Sequence, residues 1–273
     1  MAPMARTISL AILAVVSGSL SSGHSWPAKA GAISGTLMGL AGVLEVAASL
    51  LRAIHIAAGS VALLCFWVPL VVTKGNRTHR RVGRVYVSAM FVAAATAIAI
   101  APIRMAERPV ERWGSPLFLA YIAVLSFASA FYGVRVLGQK KRTGPNTSVV
   151  DLAVPALLAV GAVGIFAYGV TTGFRLGLFF APIGLFVAIP QLRSLRAAPS
   201  EKRWWLVDHL VSMIVSCIAT VTAFLVVNAG RFLPGYAMLA WLTPTIVGVP
   251  LIAYWRRSFK AGRPVPALSP SDG

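Results

Sequence analysis

Seven apolar runs of about twenty residues, parted by short basic gaps, constrain this chain more than anything else in it. They cover residues 53–73, 85–104, 116–137, 149–170, 174–192, 205–228 and 234–255. A helix needs roughly 20 apolar residues to cross a hydrocarbon core about 30 Å thick. Backbone groups in lipid must bond within their own segment, so runs of this length predict helices. The period-two alternation of a membrane barrel is missing. The fold class read from this is all-α, a polytopic transmembrane bundle of seven spans plus an N-terminal signal or anchor helix.

Composition removes the alternatives. Of 273 residues, 58% are hydrophobic and only 12% charged, with a mean hydropathy of +0.79. A soluble domain carries about 25% charged residues. Two cysteines cannot make a disulfide framework, and this apolar content does not fit a disordered chain. The net charge of +18 would suggest nucleic acid in a soluble protein. Here the basic residues fill the gaps between spans, which reads as topogenic charge and contact with anionic lipid headgroups. The expected partners are therefore the bilayer and those headgroups, and no nucleic acid.

The gaps also set an orientation. Lys74, Arg77, Arg80, Arg81 and Arg84 follow the first run, and Arg135, Lys140, Lys141 and Arg142 follow the third. Arg193, Arg196, Lys202 and Arg203 follow the fifth, and Arg256, Arg257, Lys260 and Arg263 the seventh. These alternate ends hold seventeen basic residues, against six at the opposite ends (Arg52, Arg104, Arg108, Arg112, Arg175 and Arg231). Positive residues stay on the cytoplasmic side. Residue 53 is thus expected outside and the C-terminus inside, as in a bacterial inner-membrane protein. Trp204, Trp205, Tyr254 and Trp255 at the inner ends, and Trp113 and Tyr236 at the outer ones, fit interfacial anchors.

Three segments follow: an N-terminal part over 1–50, a seven-helix membrane domain over 51–256 and a cytoplasmic tail over 257–273. Arg6, the run from Ile8 to Leu20 and Ala28-Lys29-Ala30 resemble a signal peptide. An uncleaved anchor with Arg6 inside fits equally well. Residues 31–50, apolar and Gly-rich with Glu45, read as an external interfacial helix or as an extension of the first span.

Few side chains offer chemistry. Cys65 and Cys217 sit mid-span, where cysteine behaves as a small hydrophobe. Asp151 follows Ser148 at capping-box spacing, and Asp208 stands in a first helical turn, where the dipole favours a carboxylate. Glu107 and Glu111 alternate with arginines as solvated pairs. Ionisable groups in spans are costly and so suggest function, which singles out His55, His79 and His209 as candidate cofactor-binding residues. An interhelical hydrogen bond is the plainer role for each. His55 and His209 each lie about eight residues from mid-span on opposite sides, roughly 24 Å apart along the normal. They cannot share one haem, whose two nitrogen ligands must lie roughly 4 Å apart. His79 and His209 fall on the same side and are expected to be neighbours, with Asp208 or Asp151 close by. Ser212, Ser216, Thr220 and Asn228 follow His209 along one helix face, as a close-packing seam or as the lining of a hydrated path or cofactor cleft.

The stretch His55-Ile56-Ala57-Ala58-Gly59-Ser60, then Lys74-Gly75 and His79-Arg80-Arg81-Val82-Gly83-Arg84-Val85-Tyr86, resembles an uncharacterised bacterial family of predicted membrane proteins, domain of unknown function 2306. Asp208-His209, the run Thr222-Ala223-Phe224-Leu225-Val226-Val227-Asn228 and Trp241-Leu242-Thr243-Pro244-Thr245 extend the resemblance over roughly 51–256. It implies a polytopic bundle and supplies no reaction, cofactor or metal.

The retinal version of a seven-helix receptor is excluded, because Lys260 lies beyond the last span and cannot form the buried Schiff base. A structural, assembly or transport-related protein is the expectation, with a non-enzyme favoured. A haem-, quinone- or metal-linked redox protein using the interfacial histidines is the alternative.

Overall fold

The computed structural model describes residues 27–199, 201, 203–232 and 235–260. The expected signal or anchor run from Ile8 to Leu20 and the tail beyond 260 lie outside the described residues. Within them the chain is helical, with no strand. The helices are α1 (Pro27–Cys65), α2 (Trp67–Val71), α3 (Arg77–Ala106), α4 (Gly114–Arg135), α5 (Val149–Thr172), α6 (Arg175–Arg196), α7 (Trp204–Phe232) and α8 (Ala237–Lys260). Among the described residues six stretches are long and apolar enough to cross a membrane, the first being Gly42–Val71 and the last Trp204–Arg231. The 24-residue α8, with Pro244 and Pro250 inside it, takes the place of the seventh expected span.

Of the two readings of residues 31–50, the helix follows the extension of the first span. Residues 31–50 are not set apart: α1 is one helix of 39 residues with no break at 51. At 1.5 Å per residue it is about 58 Å long, nearly twice a hydrocarbon core. The break comes later, at Phe66. Pro69 has no N–H for the Cys65 carbonyl, so α1 stops there and the short α2 resumes one residue on.

Contacts between helices show that the spans alternate in direction. Arg135 meets Asp151, Arg142 meets Leu195, Tyr132 meets Asp208, and Lys74 lies over Trp255. The basic gaps after α2, α4 and α6 and the Trp255 end of α8 are thereby gathered at one end of the bundle. At the other end, Tyr168 donates to Val110 O at 3.0 Å, and Phe118 packs edge-on to Phe174.

Among the described residues, two clusters make up most of the core. Phe118, Tyr121, Ile122, Leu125, Leu158, Ile165 and Phe180 join α4, α5 and α6. Ala62, Phe66, Tyr86, Met90 and Cys217 join α1, α2, α3 and α7. The central helix is α4, which touches α3, α5, α6 and α7. Its sequence explains that position: Ala123, Ser126, Ala128, Ser129, Ala130 and Gly133 are all buried, and small residues let helix backbones approach where lipid gives no hydrophobic drive. By contrast α1 is covered least, with Val46, Leu50, Ile56 and Leu64 exposed.

Candidate functional site

The polar side chains collect at the basic end, where the helix termini meet. Asn76 caps α3, its side chain accepting from the His79 N–H at 2.7 Å. This fixes the first turn and brings the His79 ring beside the Pro69 carbonyl and Lys74. Lys74 Nζ donates to Pro69 O at 2.8 Å and Leu70 O at 2.6 Å, closing the last turn of α2. It also sits 5.7 Å from the centre of the Trp255 ring. Burial lowers the Lys74 pKa from the ordinary lysine value.

His209, near the start of α7, has Nδ1 2.7 Å from Gly133 O. A carbonyl can only accept, so this nitrogen carries the hydrogen and Nε2 of the neutral ring keeps its lone pair. His79 lies within electrostatic reach of His209, as does Lys140. The Nδ1 atom of His79 is buried without a hydrogen-bond partner. The structure therefore brings His79 and His209 to one region. His55 stands apart, on α1 against α3, with Nδ1 2.8 Å from Ala93 O and 3.2 Å from Thr96 Oγ1.

The two expected carboxylates are engaged elsewhere. Asp208 Oδ2 accepts from Tyr132 Oη at 2.5 Å and Ser194 Oγ at 2.8 Å. It is one residue from His209, hence about 100° round the helix, and serves α4 and α6. Asp151 is buried and forms a hub. Arg135 donates to it from Nε at 2.6 Å and Nη2 at 3.1 Å, Gln139 at 3.0 Å and Asn146 at 2.9 Å. The capping-box reading is half right. Ser148 accepts from the Asp151 N–H, but the Ser148 N–H goes to Asn146 Oδ1 and the carboxylate turns to α4. Among the described residues no group of three or more His, Cys, Asp or Glu side chains is placed to hold a metal ion.

The polar row on α7 packs against neighbours. Ser212 and Ser216 are buried. A Cβ on Gly133 would stand 3.3 Å from Ser212 Cβ, and Tyr86 Oη lies 2.8 Å from Ser216 Oγ. Thr220 bonds back to Ser216 O, and the half-buried Asn228 bonds back to Phe224 O. Sequence reasoning missed Tyr132, Tyr86 and Arg142. Arg142 reaches over from the loop after α4 to the Ser194 and Leu195 carbonyls at 2.6 and 3.1 Å, stacked 4.5 Å from the Trp204 ring.

An alternating helix bundle with apolar outer faces and a polar, basic end defines a multi-pass membrane protein. Residues 52–146 match the family model described as predicted membrane protein (DUF2306). The match includes His55, His79 and the Asp151-binding residues Arg135, Gln139 and Asn146, and it ends before His209. No curated protein and no solved structure matches the chain.

Proposed function

We propose that the protein is a multi-pass component of a bacterial inner membrane, C-terminus in the cytoplasm, that acts in assembly, structure or transport rather than as an enzyme. One observation supports this most directly: the polar groups inside the bundle are turned toward neighbouring helices. His55 goes to α3 and His209 to α4, while Tyr121 donates to Phe180 O on α6 at 2.9 Å. Tyr132 joins α4 to α7, and Tyr86 joins α3 to α7. Such bonds hold helices together. A catalytic constellation instead aims its groups at one place. The seventeen basic residues that the sequence sets at alternate span ends support contact with anionic headgroups on the cytoplasmic face.

The test is reconstitution of the purified protein in vesicles, assayed for ion or proton flux, beside capture of partner proteins by crosslinking in cells. A flux selects transport, and a stoichiometric membrane partner selects assembly. Turnover of an added substrate with neither would overturn the reading.

A second reading, a haem- or metal-linked role, is favoured by the His79 and His209 pair. Histidine ligands commonly donate their other ring nitrogen to a carbonyl, as His209 does to Gly133, and His79 has a buried nitrogen without a partner. An absorption spectrum and metal analysis of the purified protein decide it. A Soret band or stoichiometric metal lost together in His79→Ala and His209→Ala supports this role. A colourless, metal-free protein, or metal unaffected by either change, ends it.

A further inference from the structure

A groove of about 650 Å³ runs along the outside of the bundle between α1 and α3. Its walls are apolar, with Ala58 and Val61 on α1 and Val85 and Val92 on α3, while Arg81 and Arg84 stand at its basic end. Small residues leave the hollow: Ala58 on α1 and Ser88 and Ala89 on α3 line it. The two arginines are exposed and free to bind. Among the described residues the Arg81 side chain makes no hydrogen bond or ion pair, and the Arg84 side chain donates only its Nε–H, to Arg80 O at 3.3 Å.

From Arg81 to Val92 the groove follows α3 for eleven residues, about 16 Å. One leaflet of the hydrocarbon core is about 15 Å deep. A pair of guanidinium forks at the head of an apolar furrow of that length complements an anion attached to a hydrocarbon chain. Guanidinium groups bind phosphate oxygens in parallel pairs.

We infer that this groove is a binding site for one anionic phospholipid, its phosphate on Arg81 and Arg84 and one acyl chain laid along α3 toward Val92. The inference rests on the membrane reading above and adds a defined ligand and place to it. A surface merely attractive to anionic lipid would depend on every basic residue of the loop, whereas this site depends on two of them and on the furrow.

The experiment uses full-length protein in an uncharged detergent, washed free of lipid and titrated with phosphatidylglycerol or phosphatidylcholine. Native mass spectrometry counts the lipids retained. One phosphatidylglycerol per chain is expected, in preference to phosphatidylcholine. Arg81→Gln with Arg84→Gln lowers its retention roughly thirty-fold, from about 1 kcal/mol per basic residue. Arg77→Gln with Arg80→Gln, the same change of charge beside the groove, leaves retention close to the parent. Ser88→Leu, which fills the furrow and spares both arginines, also lowers it. All these positions are exposed, and helical circular dichroism with a monodisperse elution profile checks each variant. Equal loss in the two arginine pairs, or no preference between lipids, overturns the site. So does an unchanged Ser88→Leu variant whose lipid is displaced by inorganic phosphate. None of these outcomes touches the multi-pass reading, which would fail only if the chain did not insert in the membrane.

Discussion

Asp151 carries more of the basic end than any other single side chain. It is 3% exposed and accepts from Arg135, Gln139 and Asn146 together. Removing the carboxylate strands Arg135 at the end of α4 and Gln139 and Asn146 in the segment before α5. Asp151→Ala should cost about 2–4 kcal/mol, the lower part of that range reflecting an Arg135 side chain that is half exposed and regains water. Arg135→Lys keeps the charge and loses the two-pronged geometry, and should cost about 1 kcal/mol. Thermal unfolding in detergent checks both. Equal losses for the two variants would mean that the two-pronged geometry, and not the charge, carries the interaction there. Tyr121 and Gly184 form a second residue-level pair. A Cβ on Gly184 would overlap the Tyr121 hydroxyl, which donates to Phe180 O at 2.9 Å. Gly184→Ala should therefore destabilise by about 2–3 kcal/mol, and Tyr121→Phe alone by about 1 kcal/mol. Combining them should recover part of the first loss, because the hydroxyl makes the closest contact. A double variant no better than Gly184→Ala would place the strain elsewhere.

At the scale of elements, the hairpin of α5 and α6 shows how tightly two spans can be set. Gly173 ends α5 in the left-handed region at φ 71°, and α6 begins two residues later. Side chains other than glycine meet their own carbonyl in that conformation. Gly177 then lets α6 approach α5 so closely that a Cβ would stand 2.7 Å from the Ile165 carbonyl oxygen. Backbone cannot step aside as a side chain can. Gly177→Ala should cost about 2–3 kcal/mol by parting the helices, and Gly173→Ala about 1–2 kcal/mol by strain in the turn. Denaturation by SDS, read by circular dichroism, ranks them. A milder Gly177→Ala would show that α6 slides to make room. Both glycines are plain in the sequence. Which one meets a neighbour's backbone is not, since the distance depends on how two helices pack.

For the whole molecule, the prediction is topology. A cysteine at Glu107, with Cys65 and Cys217 replaced, should react with an impermeant maleimide added to sealed cells, and one at Asn76 should react only after lysis. The contacts already place these positions at opposite ends: Arg104 pairs with Glu107 near Trp113, while Asn76 caps α3 at the basic end. Which end is cytoplasmic rests on the excess of basic residues there. Labelling of Asn76 in intact cells would reverse the molecule as a whole, since the helices alternate and move together.

The sequence by itself determined that this chain is a bundle of apolar helices, where each lies within a few residues, and that their basic ends fall together. Those properties are local, because a bilayer requires about twenty apolar residues per crossing and leaves the backbone no bonding alternative to helix. It also placed His79 and His209 at the same end, since depth along a helix follows from counting residues. What only the tertiary structure decided is azimuth: which way each helix turns its polar groups. Asp151 at capping-box spacing turned to Arg135 and Asp208 to Tyr132. The polar row on α7 met Tyr86 and Gly133 in place of a path, and the furrow below Arg81 and Arg84 opened outward. In a soluble helix the water-facing side betrays rotation. Here lipid and neighbouring helices are equally apolar, so rotation leaves little mark on the sequence and is settled by side-chain packing between helices far apart in the chain.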